Sequence, residues 1–391
     1  MTGFWAISTA GFLATAMTYG PARMGFGLFL GEFRSDFSLS TGMAGLISTL
    51  GFSGFLVGLL VAYALLARRG PRWPVTLGLG AATAGFALVA LAPNAAVLAA
   101  GVLLAMASAG FSWAPFNDAA HRVIADQDRP RALSLVSTGT SVGVAAAGLT
   151  ALALHMLGLS WRLGWTGFAL AGALATLVNA LDLGGEAARP GPRPDRCLAE
   201  LVHRAAWPIY GVAASYGTVS AIWISFAADR VQQAGGLPGL APAAAPGVVF
   251  LAYGIFGLSG ALTGWLHDRL GLPRLLYTLQ ATAALSAGLV ALAPAMWSAV
   301  LLSAGLQGAH VMMTSAALSF WTERLYPDAP SRGFTAALLA VAAGSALGPA
   351  AAGFLSQAAG GGAMFLTIAA LPAITLLLLM RATIRERPVG D

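Results

Sequence analysis

Apolar residues fill the chain in long runs, and polar positions are confined to short breaks between them. A hydrocarbon core of about 30 Å takes roughly 20 residues of α-helix, so each run has the length of a membrane crossing. The first run covers Phe4–Leu30 and is interrupted by Gly20-Pro21 and by Arg23. A polar link, Glu32–Thr41, leads to the second run at Met43–Leu66. Runs three to six follow at Pro74–Ala92, Ala95–Asp118, Leu133–Leu157 and Gly164–Leu183. Gly184–Ala206 is the most polar stretch, with Pro190, Pro192 and Pro194 among Arg189, Arg193, Arg196 and Arg204, and it reads as a linker. Six further runs then repeat the layout at Trp207–Ala227, Gly247–His267, Leu275–Ala293, Ala295–Phe320, Gly333–Gln357 and Ala363–Met380. The pattern predicts an all-α integral membrane protein of twelve transmembrane helices in two six-helix pseudo-symmetric halves, 1–183 and 207–391, joined by a cytoplasmic linker at 184–206.

The repeat is visible in the residues themselves. Leu88-Val89-Ala90-Leu91-Ala92-Pro93 recurs as Leu289-Val290-Ala291-Leu292-Ala293-Pro294, and Arg68 and Gly70 recur as Arg269 and Gly271. In run five Gly139, Gly143 and Gly148 match Gly344, Gly348 and Gly353 of run eleven, spacings that suit close helix packing.

Composition narrows the picture further. The 391 residues are 58% hydrophobic and 9% charged, with a mean hydropathy of +0.77, which leaves no room for a separate soluble domain. All 21 basic residues are Arg. With the N-terminus inside, 17 of them fall in inner links and the tail, while only Arg34, Arg162 and Arg230 fall in outer links. That asymmetry predicts both termini in the cytoplasm, and it reads the basic balance as topology rather than nucleic-acid binding. The lone Cys197 excludes an intrachain disulfide and a Cys-based metal site. Phosphate-binding loops, zinc-binding helices and nucleophile elbows are absent, so the expectation is a transporter without cofactor or metal rather than an enzyme.

One link carries a specific spacing. Gly264-Trp265-Leu266-His267-Asp268-Arg269-Leu270-Gly271-Leu272-Pro273-Arg274 combines a helix-packing glycine, an Asp-Arg pair, a turn at Gly271-Leu272-Pro273 and a closing Arg. It resembles the signature loop of the major facilitator superfamily, G-x-x-x-D-R-x-G-x-x-R, and the resemblance covers the whole chain. It implies parallel six-helix halves with the substrate between them, working by alternating access. It also implies a gating role for Gly264, Asp268, Arg269, Gly271 and Arg274, the loop docking on a neighbouring helix to stabilise the outward-open state. The first-half copy keeps Arg68 and Arg72 but has Ala67 in place of the Asp, so the two halves are expected to be gated unequally, with Asp118 or Asp126 as substitute partners. The run Arg23-x-x-Phe26-x-x-x-Leu30 is similar to a first-span pattern of YbfB-like facilitators.

Candidate chemistry is sparse. Arg23 is the one basic residue inside a predicted span, where a charge is costly and faces a bundle interior or watery cavity. Its guanidinium suits a carboxylate, phosphate or sulfonate, with Phe26 one turn on; the alternative is an early helix end with Arg23 at the outer surface. Asp118 closes run four with His121 and Arg122 at i+3 and i+4, which suits a structural ion pair or gate as well as a coupling proton. Glu323-Arg324 occupies the matching end of run ten. Gln307, His310 and Thr314 share one helix face, and His310 can relay a proton or simply hydrogen-bond a neighbouring helix. Tyr216, Ser220 and Trp223 form a polar-aromatic face in run seven, and Tyr253 adds another ring in run eight; both also read as packing. The favoured reading is a monomeric secondary transporter in a bacterial inner membrane that carries a small organic anion, anchored by Arg23 and coupled to protons. Efflux of drugs or metabolites and a non-transporting membrane receptor stand as alternatives.

Overall fold

The computed structural model describes residues 3–183, 206–327 and 330–384, so all but Ala206 of the Gly184–Ala206 linker, including Cys197, lies outside the described residues, as do Arg385 and Arg387. The described residues are helical almost throughout. The N-terminal half comprises α1 (Gly3–Tyr19), α2 (Pro21–Leu28), α3 (Leu30–Phe37), α4 (Thr41–Arg69), α5 (Arg72–Ala90), α6 (Ala95–Gly110), α7 (Trp113–Val123), α8 (Arg129–Met156) and α9 (Trp161–Asp182). The C-terminal half comprises α10 (Trp207–Gln233), α11 (Ala245–Gly257), α12 (Thr263–Leu292), α13 (Trp297–Leu325) and α14 (Pro330–Arg381). Among the described residues, eight helical stretches are long and apolar enough to cross a membrane, and two of them, Pro242–Leu292 and Arg332–Arg381, each turn back on themselves.

Glycine makes those turns. Gly271 (φ 73°) breaks α12 and Gly360 (φ 85°) breaks α14. Their first-half counterparts are Gly70 (φ 73°) and Gly158 (φ 65°), so both turns sit in the left-handed region that favours glycine. Side-chain caps fix other starts: Asn94 Oδ1 accepts from the backbone N–H of Ala96 and Val97, each at 3.1 Å, and Ser40 Oγ accepts from Met43. Joining broken helices and dividing turned ones gives the twelve passes expected. Boundaries moved in two informative places. The link assigned to Glu32–Thr41 is helical as far as Phe37, and the seventh pass runs on to Gln233 instead of ending at Ala227.

Packing repeats between the halves. Within the first, α1 lies on α8, α4 and α5 on α6, and α5 on α9. Within the second, α10 lies on the first arm of α14, and α11 and α12 on α13. The halves meet through α2 with α10, α4 with α14, and α8 with α11. Backbones touch at those seams: a Cβ on Gly27 would lie 1.8 Å from the Ile224 carbonyl oxygen, one on Gly45 2.6 Å from that of Pro349, and one on Gly254 2.3 Å from Ala145 N. All these contacts lie toward the end remote from the chain termini. The run-five and run-eleven glycines do what their spacing predicts, Gly139 and Gly143 packing on the first pass and Gly344 and Gly348 on the seventh. Gly264 is a correction: nothing lies within 4 Å of its Cβ position, so it opens onto space rather than bringing helices together.

Candidate functional site

With the halves closed at the remote end, they part toward the terminus-bearing end. A cavity of about 840 Å³ lies there, walled on one side by α7 and α8 and on the other by the α11–α12 junction and α13. Polar groups from both halves line it, among them Asn117, Asp118, His121, Thr138, Ser319 and Glu323. A second cavity of about 60 Å³ lies deeper, and Trp113 and Met312 border both.

Arg23 lines that deeper pocket. Gly20 and Pro21 end α1 and restart the helix as α2, which turns the buried Arg23 side chain among aromatic rings. Its Cζ lies 5.6 Å from the Tyr19 ring, 5.5 Å from Phe52 and 5.0 Å from Phe55. Cation–π contacts of this kind contribute roughly 0.5–2 kcal/mol each, so the three together offset a good part of the several kcal/mol that burying a charge costs, but they give its N–H groups no acceptor. Nε has no hydrogen-bond partner, and no carboxylate pairs with Arg23 among the described residues. The pocket therefore presents a positive charge whose hydrogen-bonding capacity is unfilled. Tyr19, Tyr216, Thr140, Ser137 and Ser315 contribute its polar wall, and Met24, Val311, Leu338 and Val341 much of its apolar one.

The other residues singled out in the sequence fall into distinct places. Asp118 lines the large cavity and is held by Arg122, whose Nη2 is 2.5 Å from Oδ2. His310 is fully buried, edge-on to Tyr216 with centroids 5.6 Å apart; its Nδ1 lies 3.2 Å from Thr314 Oγ1, and Nε2 has no partner. Neither His310 nor Gln307 lines either cavity, and both amide atoms of Gln307 lack partners. Trp223 donates through Nε1 to Ser303 Oγ at 3.2 Å and packs against Tyr253, while Phe26 joins an aromatic cluster with Phe33; none of these three borders a cavity. The structure thus unites Arg23 and Tyr216, leaves Asp118 in the wider vestibule, and sets Phe26, Trp223, Tyr253, Gln307 and His310 inside the half-bundles.

At the turn, Asp268 is 82% exposed and contacts only the neighbouring His267, with His267 Nδ1 3.3 Å from Oδ1. His267 Nε2 lies 3.1 Å from Arg324 Nη1, and Arg269 lies over the Trp265 ring. Arg274 and Arg68 are exposed, and Arg72 donates to the Ala180 carbonyl at 3.1 Å.

Two features escaped the sequence reading. The rings of Phe52 and Phe55 around Arg23 come from another pass, and no local pattern marks them. Arg34 Nη1 meets Asp229 Oδ2 at 2.9 Å across the halves at the remote end, with Gln233 Nε2 donating to the same oxygen at 2.7 Å and Ser48 Oγ 2.5 Å from Ser225 Oγ nearby. Ending the seventh pass at Ala227 had put Asp229 in a loop.

Residues 11–294 match the Major Facilitator Superfamily. Curated protein sequences give no match. Among solved structures, a bacterial homologue of the human lysosomal transporter Spinster, inward-facing and unoccupied, superposes with a TM-score of 0.74 at 18% identity, covering 100% of this chain and 99% of that one. The peptide transporter POT in complex with sulfate gives 0.79 at 15% identity over 97% and 94% of the two chains, and the nucleoside transporter NupG gives 0.72 at 13% over 97% and 99%. At such identities the likeness is one of fold.

Proposed function

The chain belongs to the major facilitator superfamily and is a membrane transporter, not an enzyme; from that premise we propose that it carries a small organic anion across a bacterial inner membrane by alternating access, coupled to protons. The observation that carries the reading is Arg23, a buried guanidinium without a carboxylate partner at the inner end of a large vestibule. An anion suits such a site, because the rings around the guanidinium offset part of its desolvation but leave its N–H donors without acceptors. A bidentate anion would fill the vacant donors and bridge the half that holds Arg23 to the half that holds Tyr216.

The arginine-rich links support cytoplasmic termini. On that assignment the vestibule faces inward and the Arg34–Asp229 pair closes the outer side. In the outward-open state Asp268, exposed here, docks on a neighbouring helix and Gly271 and Arg274 hold its loop. Asp118 and His310 are the coupling candidates, Asp118 because it lines the vestibule and His310 because its ring packs edge-on to Tyr216, which lines the deeper pocket.

Cation efflux has one observation in its favour: Asp118, Asp126 and Glu323 all border the vestibule. Uptake of an organic-anion panel into proteoliposomes, with and without an imposed proton gradient, separates the two. The expected result is accumulation of anions driven by an inward proton gradient, lost in Arg23→Ala. Transport by Arg23→Ala at the parent rate, or gradient-driven movement of cations alone, overturns the anion reading. His310→Gln and Asp118→Asn, tested singly, should identify which one uncouples accumulation from exchange.

A further inference from the structure

Resting on the anion reading, we infer that the site selects monoanions with a compact apolar body and rejects dianions built on the same body. Three rings stand 5.0–5.6 Å from the Arg23 Cζ, and the guanidinium has no hydrogen bond or ion pair with the described residues, so its donors can take a single carboxylate. The pocket around it, about 60 Å³, admits a head group and not a whole solute. The body therefore lies where the two cavities adjoin, between Trp113 and Met312, with Val311 and Leu338 close by. Apart from Ser137, which also borders both cavities, those walls are apolar, and none of these residues offers a second charge a counter-ion.

The vestibule beyond is no more hospitable to one. Arg129 is the arginine that borders it among the described residues, and it is occupied by Asp126 and by the backbone carbonyls of His121 and Ile124. Asp118 is paired with Arg122. Glu323 also borders the vestibule and stands without an ion pair among the described residues. A distal anionic group would meet this carboxylate, which faces the His121 ring but no arginine partner, across a cavity where charges interact more strongly than in bulk water. Charge number is thus read by what the vestibule lacks, and the head group by what Arg23 offers.

Calorimetric titration of the purified full chain with one matched series tests this: benzoate, benzamide, terephthalate, 4-(aminomethyl)benzoate and isovalerate. Benzoate and isovalerate should bind at least about tenfold more tightly than terephthalate, with benzamide silent. In Glu323→Gln the benzoate-to-terephthalate ratio should shrink several-fold. Arg23→Ala should lose benzoate, and Arg23→Lys, which keeps the charge without the fork, should bind it weakly, a comparison that holds even if the alanine variant folds poorly. Terephthalate binding as tightly as benzoate overturns the selection while leaving the anion reading intact. Benzamide matching benzoate overturns the anion reading itself. Tighter binding of 4-(aminomethyl)benzoate, or no binding by any member, overturns the apolar body.

Discussion

Gly27 packs directly on the seventh pass, where a Cβ would reach 1.8 Å from the Ile224 carbonyl oxygen. Backbone on both sides leaves nothing soft to yield, so a methyl group must push the halves apart. Because that contact belongs to the state closed at the remote end, Gly27→Ala should destabilise that state more than the opposite one. In a Cys197→Ser background, Ser225→Cys should then react several-fold faster with an impermeant maleimide; an unchanged rate would mean the seam opens elsewhere. Glu32, in α3 between the first two passes, adds a pH dependence. Burial, reinforced by nearby Asp36, pushes its carboxyl up to about 7 from 4.5, and Oε2 has no partner. The closed form therefore keeps a proton that an exposed Glu32 gives up near 4.5, so the closed form's advantage is full at low pH and falls as pH rises to about 7. Divided by the rate of a permanently exposed cysteine at the same pH, which removes the thiol's own ionisation, labelling at position 225 should increase between pH 5 and 8, and that ratio should be flat in Glu32→Gln. Arg23 itself was legible in the sequence, since a lone charge in an apolar run stands out. Its ring cage was not, because Phe52 and Phe55 approach it only through tertiary packing.

The two glycine triplets look equivalent as elements, yet their surroundings differ. A Cβ on Gly143 would lie 2.1 Å from the Ala16 carbonyl oxygen and 2.7 Å from its Cα, all backbone, whereas one on Gly348 would meet side-chain carbons of Ile222 and Thr218 at 3.1 Å. Rotamers of Ile and Thr can give by a few tenths of an ångström; the α1 backbone cannot. Gly143→Ala should therefore cost about 1–3 kcal/mol and lower the melting midpoint in detergent, while Gly348→Ala should cost less than about 1 kcal/mol. Equal losses would mean that the seventh pass is held as rigidly as the first. The repeat was readable because each copy needs the same small residues and the same left-handed glycine at its turn, as Gly70 and Gly271 show. Helix ends were less readable. Hydropathy falls at Asp229 although the helix does not end there, since Arg34 and Gln233 satisfy the carboxylate and let α10 continue. Gly264 was misread for the converse reason: its spacing suits helix contact, but its neighbours in space have withdrawn to form the vestibule.

At the scale of the whole molecule, the state described is set by which end carries cross-half bonds. The remote end holds Arg34–Asp229, Ser48–Ser225 and a hydrogen bond of 3.0 Å from Ala350 N to Thr49 Oγ1. The other end holds a cavity. Alternating access requires the remote bonds to break as the vestibule closes, so their strength sets the balance between states. Arg34 is 26% exposed and Asp229 6%, which places the pair between a screened surface bridge and a buried one. Removing one partner should shift the balance by about 1–2 kcal/mol, or roughly tenfold in the population ratio, toward the state open at the remote end. Spin-label distances across the vestibule mouth should accordingly shorten in Arg34→Ala and in Asp229→Asn. The exchanged pair, Arg34→Asp with Asp229→Arg, should restore the parent distribution, because it recovers the cross-half attraction while each single reversal does not. Asp268→Asn should act in the opposite direction: its side chain contacts only His267 in this state, so the substitution costs little here and weakens whatever dock it makes when the vestibule closes. Combining Asp268→Asn with Arg34→Ala should bring the distances back toward the parent values if the two ends are coupled through rigid halves. If the double variant instead shows the Arg34→Ala distribution unchanged, the turn at Gly271 is a connector and the balance is set at the remote end alone.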